Sequence, residues 1–340
     1  MSKTILEVKQ LSKHYRRHHS VFSAFNRRSD TIPAVDKVSF YLRENETMGL
    51  VGESGCGKTT VGRTILRLTP ATSGSVIFDG RDITHLSDRE LRPLRKDMQL
   101  IFQDLDAGLN PKMRVQDILK EAICVHERLN DAAVKIKSRM LLDQVNLKHS
   151  KLSSYPSELS GGEKRRVGIA RVLAVGAKLI VADEPTSALD VSIQAQVVNL
   201  LRDLQKELGL SYLFISHDLQ VVELMSHKVA VMYLGRIVEM GLTDKVSGAA
   251  RHPYTYILWS SLVEKQNREA TQPIKLERRT SWGVFDFDRP ASGCRFAPRC
   301  PVYERRGHPA ECTDPENEPQ LRDVGEGHQV ACHFPLGSHG

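Results

Sequence analysis

The most constraining feature of the sequence is the octet Gly52-Glu53-Ser54-Gly55-Cys56-Gly57-Lys58-Thr59, which matches G-x-x-x-x-G-K-[ST]. It follows Met48-Gly49-Leu50-Val51, an apolar run suited to a buried strand. From Thr60 onward Val61, Ile65 and Leu68 recur at helical spacing. Strand, glycine-rich loop and helix start together make a cradle for phosphate. Glycines let successive backbone N–H groups converge on one anion, and the helix N-terminus adds its positive dipole end. Lys58 reaches toward β- and γ-phosphates and the Thr59 hydroxyl toward Mg²⁺. Residues 52–60 are therefore the candidate nucleotide-binding segment.

A second strand carries the complementary chemistry. Leu179-Ile180-Val181-Ala182 ends in Asp183 and Glu184. A carboxylate at the C-terminal end of such a strand can meet Mg²⁺ opposite the Thr59 hydroxyl, and Asp183 is placed for that. Glu184 can orient and activate an attacking water, the part that phosphoryl transfer still lacks once charge and position are supplied.

Around these strands the chain reads as α/β. Residues 5–15 and 32–50 suggest short strands with turns, and 74–80 a strand ending in a turn. Residues 87–97 suggest a helix and Leu100-Ile101-Phe102 a buried strand. From 115 to 175 the pattern turns helical, with Ile136, Met140, Leu141 and Val145 as an apolar stripe. Strand pattern returns at 179–182 and 212–215, with a helix at about 192–208 between them. Alternating strands and helices imply a mostly parallel sheet interrupted by a helical insert. Residues 16–31 form a basic stretch, read as a surface loop or as a membrane- or partner-facing patch. Beyond about 265 the composition shifts to Pro, Arg and Gly, marking a C-terminal extension. A charged fraction of 26% beside 40% hydrophobic residues excludes a disordered chain. No apolar run is long enough to span a bilayer, and the N-terminus shows no signal-peptide core, so a cytosolic location is expected. The net charge of +7 is a mild bias toward anionic ligands, nucleic acid or membrane surfaces.

Several further motifs share one order along the chain. Leu159-Ser160-Gly161-Gly162-Glu163, followed by Lys164-Arg165-Arg166-Val167-Gly168-Ile169-Ala170-Arg171, resembles the signature of ATP-binding cassette (ABC) ATPases. Asp183-Glu184-Pro185-Thr186-Ser187-Ala188-Leu189-Asp190 resembles their second nucleotide motif and D-loop, and Phe214-Ile215-Ser216-His217-Asp218 their switch histidine. Gln103 matches the Q-loop, and Tyr15 stands where the family places an aromatic on adenine. The resemblance implies a P-loop NTPase with a RecA-like core, an antiparallel β subdomain and a helical subdomain at about 104–175. All of these lie within an ATP-binding domain of residues 1–265. It further implies that Ser160, Gly161, Gly162 and Glu163 face the γ-phosphate held by a second ATPase subunit. His217 would contact the γ-phosphate, and Gln103 Mg²⁺ or water. Glu163 departs from the usual Gln of the signature.

A narrower resemblance is to the ATPases of dipeptide, oligopeptide and nickel importers. It rests on Phe102-Gln103-Asp104 with Leu109-Asn110-Pro111, on Ser192-Ile193-Gln194-Ala195-Gln196-Val197-Val198, and on His252-Pro253-Tyr254-Thr255. Gly293-Cys294-Arg295-Phe296-Ala297-Pro298-Arg299-Cys300-Pro301 adds to it, within an extension spanning 266–340. Leu105 and Gly108 depart from the Pro and Ser common in that subfamily. The implied partners are a second, different ATPase, two membrane permease subunits and an extracytoplasmic solute-binding protein, with this chain peripheral on the cytoplasmic face of the inner membrane. Nucleic acid is not expected as a direct partner.

Four of the six cysteines, Cys294, Cys300, Cys312 and Cys332, fall in this extension. Thiolates are soft donors suited to iron–sulfur clusters or zinc. The family resemblance implies a [4Fe–4S] cluster on these four. Zinc in a mixed set with His308, His328 or His333 is the alternative, and unliganded thiols a third reading. Cys56 needs only to be small, and Cys124 suits buried packing. Two rival functions differ in class: a soluble cassette ATPase acting on nucleic acid or ribosomes, and a regulatory subunit that binds ATP without turnover.

Overall fold

The structure, a computed structural model, describes residues 3–16, 31–102, 108–187, 189–266 and 293–337. Gln103, Ala188 and residues 17–30 of the basic stretch lie outside the described residues.

The described strands form two sheets. A four-stranded antiparallel sheet has the order β2-β1-β4-β5, from β1 (Thr4–Arg16), β2 (Thr31–Arg43), β4 (Ser73–Phe78) and β5 (Arg81–Asp82). The second sheet has eight strands: β3 (Thr47–Val51), β6 (Met98–Ile101), β7 (Leu179–Asp183), β8 (Ser211–Ile215), β9 (Lys228–Tyr233), β10 (Arg236–Leu242), β11 (Arg322–Asp323) and β12 (Gln329–Val330). Their spatial order is β11-β12-β10-β9-β3-β8-β7-β6. The five strands from β9 to β6 are parallel, and β10, β12 and β11 continue antiparallel.

The parallel strands are apolar on both faces because both faces are covered. Ile180, Ala182, Tyr212 and Phe214 point into one core, with α5 (Gly161–Leu173) and α6 (Val191–Leu208). Leu179, Val181, Leu213 and Ile215 point into the other, with α1 (Lys58–Ile65) and the antiparallel sheet. The pleat thus divides each strand between two cores. Register aligns the strand ends. Ile215 pairs with both Leu50 of β3 and Asp183 of β7, so three carboxyl ends share one edge.

Four sequence expectations need adjustment. The segment 87–97 is not one helix. A short α2 (Asp88–Leu91), closed by a Ser87–Glu90 capping box, stops before Pro93, and a 3-10 turn (Leu94–Lys96) follows. Proline supplies no N–H and crowds the preceding turn. In the helical subdomain, α3 (Val115–Cys124) and α4 (Asp131–Gln144) do form, but Ile136 and Met140 are exposed, at 61% and 58%. Val134, Ser138, Leu141, Leu142 and Val145 are buried instead. The five-residue step from Ile136 to Leu141 turns about 140° off a common face, so the two pairs do not form one stripe. Phe102 is exposed although Ile101 is buried. Cys124 is exposed at the end of α3 rather than packed.

The remaining helices are α7 (Leu219–Met225), α8 (Thr243–Gly248), α9 (Pro253–Gln266) and α10 (Pro301–Arg305). Among the described residues no helix is long and apolar enough to cross a membrane. Residues 293–337 do not stand apart from the core. Through β12 and the Glu318–Arg236 ion pair they join the large sheet at β10, and through the Arg295–Asp36 ion pair they hold the antiparallel sheet.

Candidate functional site

The phosphate loop sits between β3 and α1, at the shared carboxyl edge of the sheet. Two of its glycines are required by space and backbone alike. A Cβ at Gly52 (φ +148°) would lie 2.1 Å from the Met232 carbonyl oxygen, and one at Gly57 (φ +109°) 2.1 Å from that of Ala34. Only glycine fits there. Cys56 is buried beneath the loop, and burial pushes its thiol pKa up. It acts as a small filler. The Lys58 ammonium is buried and folds back, donating to the Gly52 carbonyl at 2.8 Å and the Glu53 carbonyl at 3.0 Å. It is thereby held across the loop mouth at the start of α1.

Thr59 Oγ1 donates to Asp183 Oδ1 at 2.9 Å. These two hard oxygen donors come from residues 124 apart in sequence, joined by the parallel register of the sheet. Burial is the largest influence on the Asp183 carboxyl and raises its pKa, with the neighbouring Glu184 adding to the rise. A cation at this point would relieve that penalty. A hydroxyl plus one carboxylate, with substrate and water completing the shell, is a donor set that suits Mg²⁺.

Glu184 begins the turn after β7 with φ +48°, a left-handed conformation that side chains other than glycine seldom adopt. Its N–H donates to the Ile215 carbonyl at 2.9 Å, locking the turn against β8. The geometry lifts the carboxylate off the strand axis to 3.2 Å from His217 Nδ1. Glu184 is largely shielded while His217 is 60% exposed. Next to His217, Asp218 caps α7 by accepting from the amides of Gln220 and Val221 and accepts from Gln194 Nε2 at 2.8 Å. Lys58, Thr59, Asp183, Glu184 and His217 thus converge from three strand ends. Tyr15 lies on β1, 41% exposed, with the Lys13 ammonium 5.1 Å from its ring centre.

The second predicted segment is built as a helix terminus. Ser160 caps α5, and its hydroxyl and N–H both meet Glu163 Oε2, at 3.2 and 3.0 Å. Lys151 holds the other carboxylate oxygen at 2.8 Å, and these contacts lower the Glu163 pKa. Glu163 therefore completes a capping box. Ser160 and Gly161 are exposed, so the amino end of α5 faces outward. In the D-loop Ser187 donates its N–H to the Glu184 carbonyl at 3.1 Å, Leu189 packs on the core, and Asp190 caps α6.

The cysteine expectation does not gain support. Cys294, Cys300, Cys312 and Cys332 line one cavity, but its volume is about 10 Å³, no more than a single water needs. Among the described residues no group of three or more His, Cys, Asp or Glu side chains is arranged to hold a metal ion. Burial is the largest influence on all four thiols and raises their pKa values, Cys312 to about 11 and Cys332 to about 12, with the neighbouring cysteines adding to the rise at Cys312 and Cys332. Of the three histidines in the mixed zinc set, His333 alone lines the same cavity as the cysteines. His328 binds Glu239 Oε1 at 2.6 Å, His333 meets the Asn317 carbonyl, and His308 packs edge-on against Tyr303.

Three residues at the loop escaped the sequence reading. Tyr254 Oη accepts the Glu53 N–H at 2.9 Å, and Arg299 grips the Glu53 carboxylate. Tyr233 Oη lies 3.4 Å from Arg299. They come from about 180 to 246 positions downstream, and no local pattern announces such a contact.

Comparison with known proteins bears on this arrangement. A family model described as ABC transporter matches residues 35–187, and one described as oligopeptide/dipeptide transporter, C-terminal region, matches residues 238–306. The oligopeptide transport ATP-binding protein AppF of Bacillus subtilis is 43% identical over 333 residues, 97% of each chain. A putative peptide import ATP-binding protein of Brucella ovis is 45% identical over 329 residues, 96% of this chain and 97% of that one. Among solved structures, a dimeric post-hydrolysis state of the ATP-binding cassette MJ0796 bound to ADP and Pi superposes with a TM-score of 0.61 at 25% identity. It covers 70% of this chain and 99% of that one. The cbiO1 protein of Clostridium perfringens gives 0.62 at 29% identity, covering 73% and 92%.

Proposed function

This chain belongs to the ABC transporter family of ATP-binding proteins, and on that premise we propose that it is the ATP-hydrolysing subunit of a peptide importer. The observation that carries the proposal is the convergence of Lys58, Thr59, Asp183, Glu184 and His217 at one edge of the sheet. In this reading the loop amides and Lys58 bind the β- and γ-phosphates of ATP. Thr59 and Asp183 would hold Mg²⁺, which supplies neutralisation of phosphate charge when bound. Glu184 accepts a hydrogen bond from the attacking water and orients it toward the γ-phosphorus. His217, beside that carboxylate, donates to a γ-phosphate oxygen. Glu184 is shielded and already meets His217, so little reorganisation of that carboxylate is left for the reacting step. Tyr15 offers an exposed ring for the adenine.

The exposed amino end of α5 completes the proposal. An outward-facing helix terminus with a serine hydroxyl suits an anion carried by another molecule. We assign Ser160, Gly161 and Gly162 to the nucleotide of a second ATPase subunit, this pair sitting on two membrane permease subunits at the cytoplasmic face. An external solute-binding protein would deliver peptide.

The test is co-purification from solubilised membranes through a tag on this chain, followed by reconstitution in vesicles. Integral membrane subunits should be recovered, and MgATP hydrolysis should rise when peptide-loaded binding protein is added. Recovery with ribosomes or nucleic acid, and with no membrane protein, would replace this reading with the rival one.

A further inference from the structure

Within the phosphate loop Glu53 is the one acidic residue. Its charge is unfavourable beside a triphosphate. Yet all three of its polar handles are held, the carbonyl by the loop's own Cys56 N–H and Lys58, the N–H and carboxylate by Tyr254 and Arg299 from the C-terminal part of the chain. The N–H donates to Tyr254 Oη, the carbonyl accepts from Lys58 Nζ, and the carboxylate is bound end-on by both Nη atoms of Arg299. The two guanidinium contacts are 2.9 and 2.8 Å, a fork-on-fork pair that fixes orientation as well as charge.

Arg299 is itself held. It ends a 3-10 turn (Ala297–Arg299) in the C-terminal segment, and its guanidinium lies 5.7 Å from the Tyr233 ring centre. Tyr233, Tyr254 and Phe296 form a buried aromatic cluster with ring centres 4.7 to 5.4 Å apart. Such a cluster is stiff, because each ring has few rotamers and many neighbours. The C-terminal segment therefore presents a positive charge to the phosphate loop from a rigid mount.

We propose that Arg299 is a positioning residue of the nucleotide site. It neutralises Glu53 and pins the loop entrance, so that the C-terminal segment sets the affinity for ATP. This inference rests on the ATP-binding reading above. Arg299 touches no phosphate in this account; it acts through Glu53.

The experiment is MgATP binding and steady-state hydrolysis by the full chain in its transporter assembly. Arg299→Ala should weaken ATP binding about 3- to 10-fold, seen as a raised KM with kcat little changed. The defect should shrink as salt rises, because screening weakens the exposed Glu53 charge. Adding Glu53→Gln to Arg299→Ala should return most of the lost affinity, since the uncompensated anion is gone. A merely structural clamp predicts the opposite: the double variant would bind no better than the single one, and salt would not matter. Either that result or unchanged ATP affinity in Arg299→Ala overturns the proposal. Should Arg299→Ala not fold, Arg299→Lys decides it. That variant keeps the charge and loses the fork, so an intermediate KM is expected and a parental KM contradicts the positioning role. Failure of the parent chain to bind ATP would instead remove the premise.

Discussion

Asp36 shows how far single residues can tie the molecule together. It lies on β2 and receives Arg236 from β10 and Arg295 from the C-terminal segment. Burial alone would raise its carboxyl pKa, but the two guanidiniums more than offset this and hold it below the ordinary value. A depressed carboxyl pKa contributes stability that is present above the unfolded value and is lost as pH falls through the folded one. Asp36→Asn should therefore lower unfolding stability by about 1 kcal/mol near pH 7, the site being partly solvated. The difference from the parent should close below about pH 4, measured by urea unfolding across pH. The candidate-site residues Lys58, Thr59, Asp183 and Glu184 are legible one by one in the sequence because each sits in a short motif whose chemistry is local, a glycine loop and two acids after a strand, whereas His217 is legible only through the family resemblance. Asp36 was not legible, since its two partners lie 200 and 259 positions away.

At the scale of elements, α5 carries the departure from the signature that sequence alone could not interpret. Glu163 closes a capping box with Ser160 and pairs with Lys151. A glutamine fills the same box, so Glu163→Gln should lose only the partly exposed ion pair with Lys151 and change stability by less than about 0.5 kcal/mol. Ser160→Ala removes the cap and should cost about 1 kcal/mol. Thermal unfolding of the two variants checks this ranking, which reverses if the capping box is not formed. Element types were readable where periodicity was strong, as in β7, β8 and α6. On α4 the buried row differs from the apolar pattern because it includes Ser138, a polar residue. The helix expected at 87–97 stops at Leu91, before Pro93, because proline cannot continue it.

Across the whole molecule, the sheet is the device that assembles the site. Parallel register brings the ends of β3, β7 and β8 together, and the antiparallel continuation through β10 and β12 brings the C-terminal segment back to the loop. The first of these follows from alternating strand and helix patterns. The second does not, because β11 and β12 are two-residue strands without periodicity. The four cysteines illustrate the same limit: their clustering in sequence predicts a metal centre, and the fold brings all four to one cavity, yet among the described residues no group is arranged to hold a metal ion. The central claim, that this chain's own loop and Glu184 hydrolyse ATP, is tested most directly by Glu184→Gln. ATP binding and ATP hydrolysis are measured side by side in the assembled complex. The account predicts undiminished ATP binding with hydrolysis reduced about 100-fold or more. Hydrolysis at the parental rate would contradict it.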